Sequence, residues 1–123
     1  MAAFEQHIEK FRHNQDFCKF GISTTKGNFN DWDVTARFYA SVHLIEAIID
    51  KRLSLHSKNH EMRDKIMADN PNIFPRECAS DYATLKALAR KARYETVQIS
   101  SQEAFKAQTC LDDLEDRYKA YIT

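Results

Sequence analysis

Apolar positions recur along this chain with the three-and-four spacing of helix faces, and short polar breaks divide them into successive helical segments. The clearest covers residues 30–55, NDWDVTARFYASVHLIEAIIDKRLSL. There Val34, Phe38, Val42, Ile45, Ile49 and Leu53 line one side of a helix and are expected deep in the core. Beside that face runs a mixed flank of Trp32, Tyr39, His43, Glu46 and Asp50. A third stripe, with Asp33, Arg37 and Lys51, reads as solvent-facing, although Leu44 lies on it. Asn30 supplies an N-cap, and Asp31 and Asp33 set negative charge against the positive end of the helix dipole.

The flanking segments follow the same period. A first helix over residues 2–19 carries Phe4, Ile8, Phe11 and Cys18, with Gln15 interrupting the rhythm, and ends before the loop that holds Gly21 and Gly27. Ser57 is the expected cap of a short helix over residues 58–68, which Asn70-Pro71 stops, because proline disfavours helix in the residue before it. Ile73 and Phe74 then anchor a loop on the core. Ser80 is the expected start of a helix to Tyr94 with Tyr82, Leu85, Leu88, Ala89 and Ala92 inside. The β-branched residues between Thr96 and Ile99 break that helix. Ser100 and Glu103 form a capping box for the last one, whose seam is Ala104, Ala107, Leu111, Leu114, Tyr118 and Tyr121.

With 123 residues, two glycines and two prolines, the pattern predicts one all-α domain, an up-and-down bundle of four main helices and one short one. Because the 30–55 helix has apolar or semi-polar residues on several sides, a symmetric homodimer is expected, with that helix or the last one at the interface. Basic and acidic residues balance at 18 each, so net charge names no partner. Residues 51–93 nevertheless hold ten basic against five acidic groups, a modest basic bias. Three widely separated cysteines without a C-x-x-C pair fit a reducing compartment. The N-terminus has no apolar signal segment, and the uncharged run from Phe38 to Ile45 is far short of the ~18 residues of a membrane span. A cytoplasmic protein that does not enter the membrane is expected.

Candidate chemistry gathers on the mixed flank. Tyr39, His43 and Glu46 are spaced to meet one pocket, and a histidine between apolar residues and a carboxylate suits proton transfer, as it also suits a purely structural hydrogen bond. His60 and Arg63 share a face of the short helix, and Arg90 and Arg93 on the next helix offer further donors for phosphate. His43, Glu46, His56 and His60 are potential metal ligands, but no H-E-x-x-H or E-x-x-H pair is present and no metal site is expected. Glycine-rich phosphate loops and nucleophile elbows are absent, and no cofactor is called for.

The order of segments, ARFYASVHLIEAIID, SKNHEMRDKIM, LKALARKARYE and a long final helix opening SSQEAFKAQ, resembles the HEPN domain (higher eukaryotes and prokaryotes nucleotide-binding) over roughly residues 30–122. The resemblance implies a four- to five-helix bundle, often dimeric. It also implies RNA cleavage or RNA or nucleotide binding in bacterial or archaeal defence and toxin-antitoxin systems, sometimes beside a small nucleotidyltransferase-type protein. Ribonuclease members carry Arg-x(4 to 6)-His near the start of the last long helix, and this chain has no histidine after His60. Arg37 and His43 have that spacing, but in another helix, where six residues leave them about 120° apart. The expectation is therefore a module that binds RNA, a nucleotide or a protein partner through Tyr39, Glu46, Arg90 and Arg93. The alternatives are a metal-independent ribonuclease that uses His43, His60 and Arg63 in a rearranged site, and a purely structural dimeric subunit.

Overall fold

The computed structural model describes residues 3–25, 29–94 and 98–122, without the side chains of Ser23 and Thr25, and its elements are all helical. In order they are α1 (Phe4–Asp16), α2 (Asn30–Leu53), α3 (His60–Asp69), α4 (Arg76–Tyr94), α5 (Ser101–Arg117) and the single turn α6 (Lys119–Ile122). A wide turn, Phe17–Gly21, and a tight one, Ile22–Thr25, extend α1.

Contacts at helix ends fix the up-and-down topology. Phe4 of α1 lies under the Lys51 ammonium while Cys18 reaches the Asp33 carbonyl, so α1 and α2 run antiparallel. Asn30 donates to the Ile99 carbonyl at one end and Arg52 stacks on Tyr121 at the other, so α2 and α5 run parallel. Lys91 pairs with Glu103 and Cys78 with Tyr118, which makes α4 antiparallel to α5.

The apolar stripe of α2 is the centre of the core. Val34, Phe38, Val42, Ile45 and Ile49 are buried as the spacing predicts, and Ala40, Leu44, Ala47 and Ile48 on other sides are buried too. α1, α4 and α5 of the same copy cover them, so the several apolar sides of α2 call for no second copy. The seam of α5 behaves as expected: Ala104, Ala107, Leu111, Leu114 and Tyr118 are buried, and Tyr121 is half-buried. Ile73 and Phe74 plug into the core, where the Ile73 carbonyl accepts from the Tyr118 hydroxyl at 2.8 Å.

Several local expectations are corrected. Arg37 is not solvent-facing but 5% exposed, because its Nε donates to Asp33 at 2.9 Å and α5 brings Asp112 close enough to feel its charge. Gln15 is likewise buried, donating to Glu115 on α5 at 2.6 Å beside the Arg12–Glu115 ion pair. Asn59, not Ser57, caps α3, accepting from the Met62 N–H at 2.8 Å. α4 begins at Arg76 rather than Ser80, since Pro75 starts the helix with its carbonyl free to accept from the Ala79 N–H. The Ser100–Glu103 capping box is present, with both bonds at 3.0 Å. The predicted first residue of α1, the glycine Gly27 and the break at Thr96 lie outside the described residues.

Among the described residues no helix is long and apolar enough to cross a membrane.

Candidate functional site

α2 ends at Ser54, a non-glycine residue in the left-handed region (φ 54°), whose N–H donates to the Asp50 carbonyl at 3.1 Å. That reversal turns the following loop back along the mixed flank. It sets His56 3.5 Å from Asp50 and points the Ser57 hydroxyl at Glu46 Oε1, to which it donates. α3 then crosses the flank and places Arg63 over the same carboxylate, Nε to Oε1 at 2.7 Å. Glu46 and Arg63 are only 5% and 7% exposed, so each charge is compensated where water is largely excluded. Arg63 Nη1 contacts His60 Nδ1 at 2.8 Å and the Tyr82 hydroxyl at 3.2 Å. Because an arginine only donates, Nδ1 of His60 is an acceptor and its proton sits on Nε2.

A cavity of about 210 Å³ opens beside this knot, lined by His7, Val42, His43, Glu46, His56, Ser57 and Arg63. His43 shares it with Glu46 and Arg63, but its hydrogen-bond partner is His7 of α1, Nδ1 to Nδ1 at 3.0 Å. One imidazole donates and the other accepts, an arrangement that two imidazolium rings cannot make. Burial, ahead of the charges of His7, Lys10 and Arg63, pushes His43 down to about 4. Burial also lowers His7, against the pull of Glu46 and Asp50, and lowers His60 together with Arg63. All three rings are therefore neutral near pH 7.

The proposed residues thus separate into four places. His43, Glu46 and Arg63 share the cavity. His60 meets Arg63 on its other side, with its ring 5.7 Å from that of Phe38. Arg93 lies away from the cavity, its guanidinium stacked 5.7 Å from the Tyr39 ring centroid and 5.9 Å from that of Phe38. Tyr39 is 39% exposed, and Trp32, two turns earlier on the same stripe of α2, is more exposed still. Arg90 joins none of these; it borders a separate groove between α3 and α4. Among the described residues no three His, Cys, Asp or Glu side chains are grouped to hold a metal ion.

Sequence reasoning missed His7. Its signal was present, since His7 stands three residues after Phe4 and four before Phe11 and so shares their inward face. Ser57 was singled out for the wrong role, as a helix cap instead of a donor to Glu46. No family profile, curated protein or solved structure matches this chain.

Proposed function

We propose that this chain is a HEPN-like module that binds single-stranded RNA or a nucleotide without cleaving it, through the face where Arg93 lies over Tyr39. The observation that carries the reading is that stack: an exposed ring backed by a guanidinium offers a base a π-face and its phosphate a cation in one place. Trp32, on the same stripe seven residues earlier and so about 10 Å along α2, extends the platform to a further base. The basic bias of residues 51–93 favours an anionic ligand. The HEPN likeness rests on the order of segments, and it points to the same ligand class.

The ribonuclease alternative is weaker because of charge. General acid catalysis near neutrality needs a group with a pKa close to the working pH, and His43 is far below it. Arg63, the group meant to steady a charged phosphate, already serves Glu46, His60 and Tyr82. Fluorescence anisotropy with a short labelled single-stranded RNA tests the reading. Tyr39→Ala and Arg93→Ala are each expected to weaken binding by about 10-fold or more, given about 1–3 kcal/mol per stacked base. Added salt should weaken it further. The wild-type chain should leave the RNA intact. Binding that ignores both substitutions, or RNA cleavage abolished by His43→Ala, would remove this reading.

A further inference from the structure

His60 stands beside the Tyr39–Arg93 stack with one of its two ring nitrogens already bonded. Its ring centroid is 5.7 Å from that of Phe38, the Arg93 guanidinium is 5.9 Å from the same centroid, and the rings of Phe38 and Tyr39 are 5.4 Å apart. Phe38 is buried, so His60, Arg93 and Tyr39 are gathered around one ring that is itself sealed from solvent. His60 and Arg93 are both exposed. Burial lowers the His60 pKa, and the charges of Arg63, Lys86 and, last, Arg93 lower it further against the pull of Asp64, so the Arg93 charge reaches the ring.

The proton on this imidazole is fixed from beneath. Arg63 Nη1 donates to His60 Nδ1 at 2.8 Å, and Arg63 is in turn held by Glu46 and Tyr82. A neutral imidazole that accepts at Nδ1 carries its single proton on Nε2. A histidine free to change tautomer could present a donor or an acceptor to a ligand, whereas His60 presents a donor alone. The Arg93 guanidinium likewise only donates. Two donors at the edge of a stacking platform discriminate between bases. A carbonyl oxygen has two lone pairs and can accept from both. Adenine is the one RNA base without a carbonyl, and the N6 amino group that flanks its N1 and N7 would set a donor against donors. A phosphate gains little from the neutral ring, because the cation beside it is Arg93.

We propose that the platform prefers bases that carry a carbonyl oxygen over adenine, with His60 Nε2–H and the Arg93 guanidinium as the donors that read the oxygen. This rests on the RNA reading above and adds a base preference to it. Stacking by itself runs the other way for uracil, whose π-face is smaller than that of adenine, so a preference for uracil has to come from the edge. Fluorescence anisotropy with labelled oligo-U and oligo-A of equal length should show oligo-U bound about 10-fold more tightly, the scale of a good two-bond contact to a base edge. Inosine monophosphate should displace the labelled oligo-U at about one tenth of the concentration that adenosine monophosphate needs. Those two competitors share ring size and phosphate and differ at the purine edge. His60→Ala replaces an exposed side chain, so its circular dichroism should match the wild type. It should bring oligo-U down to the level of oligo-A and leave oligo-A unchanged, whereas Arg93→Ala should weaken both. If neither oligomer binds, the RNA reading and the base preference fall together. Binding without a preference, or a preference that survives His60→Ala, overturns the base preference alone. So does an equal loss for both oligomers in His60→Ala, which would place the ring on phosphate.

Discussion

Two arginines approach the same flank of α2, and their surroundings give them opposite characters. Arg63 comes from α3 and is buried against Glu46, with His60 and Tyr82 taking its remaining reach. Arg93 comes from the last turn of α4 and is exposed, its guanidinium over the Tyr39 ring, and among the described residues it makes no ion pair. A guanidinium enclosed with a carboxylate is committed to the fold, because removing either partner strands a charge out of water. A guanidinium on an exposed ring costs the fold little to lose and is available to a ligand. The same residue type is enclosed by the fold in one place and left accessible in the other, and burial makes the difference.

The comparison breaks most visibly if the two are removed in turn. Arg63→Ala is expected to destabilise the protein by about 3–5 kcal/mol, the cost of leaving a buried partner charge unpaired. Chemical denaturation measures this. Arg93→Ala should stay within about 0.5 kcal/mol of the wild type, as an exposed substitution does, while weakening the proposed RNA binding. Replacing both members of the knot, Glu46→Leu with Arg63→Met, should cost less than Arg63→Ala alone. Equal losses from the two single arginine variants would erase the distinction drawn here.

Acid sharpens the contrast. The folded His43 pKa, about 4, lies below its ordinary 6.5, so the unfolded chain binds the proton more readily. This contribution to stability is complete above pH 6.5 and is lost as pH falls toward 4. His7 titrates in the same direction and adds to the loss. His43→Gln should flatten the fall in melting temperature across that window. An unchanged slope would show that His43 is not the group being titrated.

The smallest expected effect lies at the bend that positions the knot. Ser54 holds φ 54°, a conformation glycine adopts without strain, so Ser54→Gly should stabilise the protein by at most about 1 kcal/mol. A loss of stability would mean that the serine side chain contributes more than its backbone strain costs.

The helices were legible in the sequence because burial on a helix is periodic. The stripe of α2, the seam of α5 and the Ser100–Glu103 cap each depend on residues a few positions apart, and all three are present. Helix starts were less legible: Ser80 and Ser57 are both capable caps, but Pro75 starts α4 earlier, and Ser57 is drawn inward to Glu46 while Asn59 caps α3. The site was legible only in part. Spacing put Tyr39, His43 and Glu46 on one flank, yet it could not assign partners across helices.

Local chemistry by itself determined the all-α class, the central place of α2 and the residue types on its flank. Tertiary structure alone decided that His7 faces His43, that Arg63 is spent on Glu46 while Arg93 is displayed on Tyr39, and that Arg37 is buried with Asp33. The physical reason is the range of the forces. Helical periodicity is set within a turn or two of chain, whereas burial and charge pairing depend on which distant segment is packed alongside.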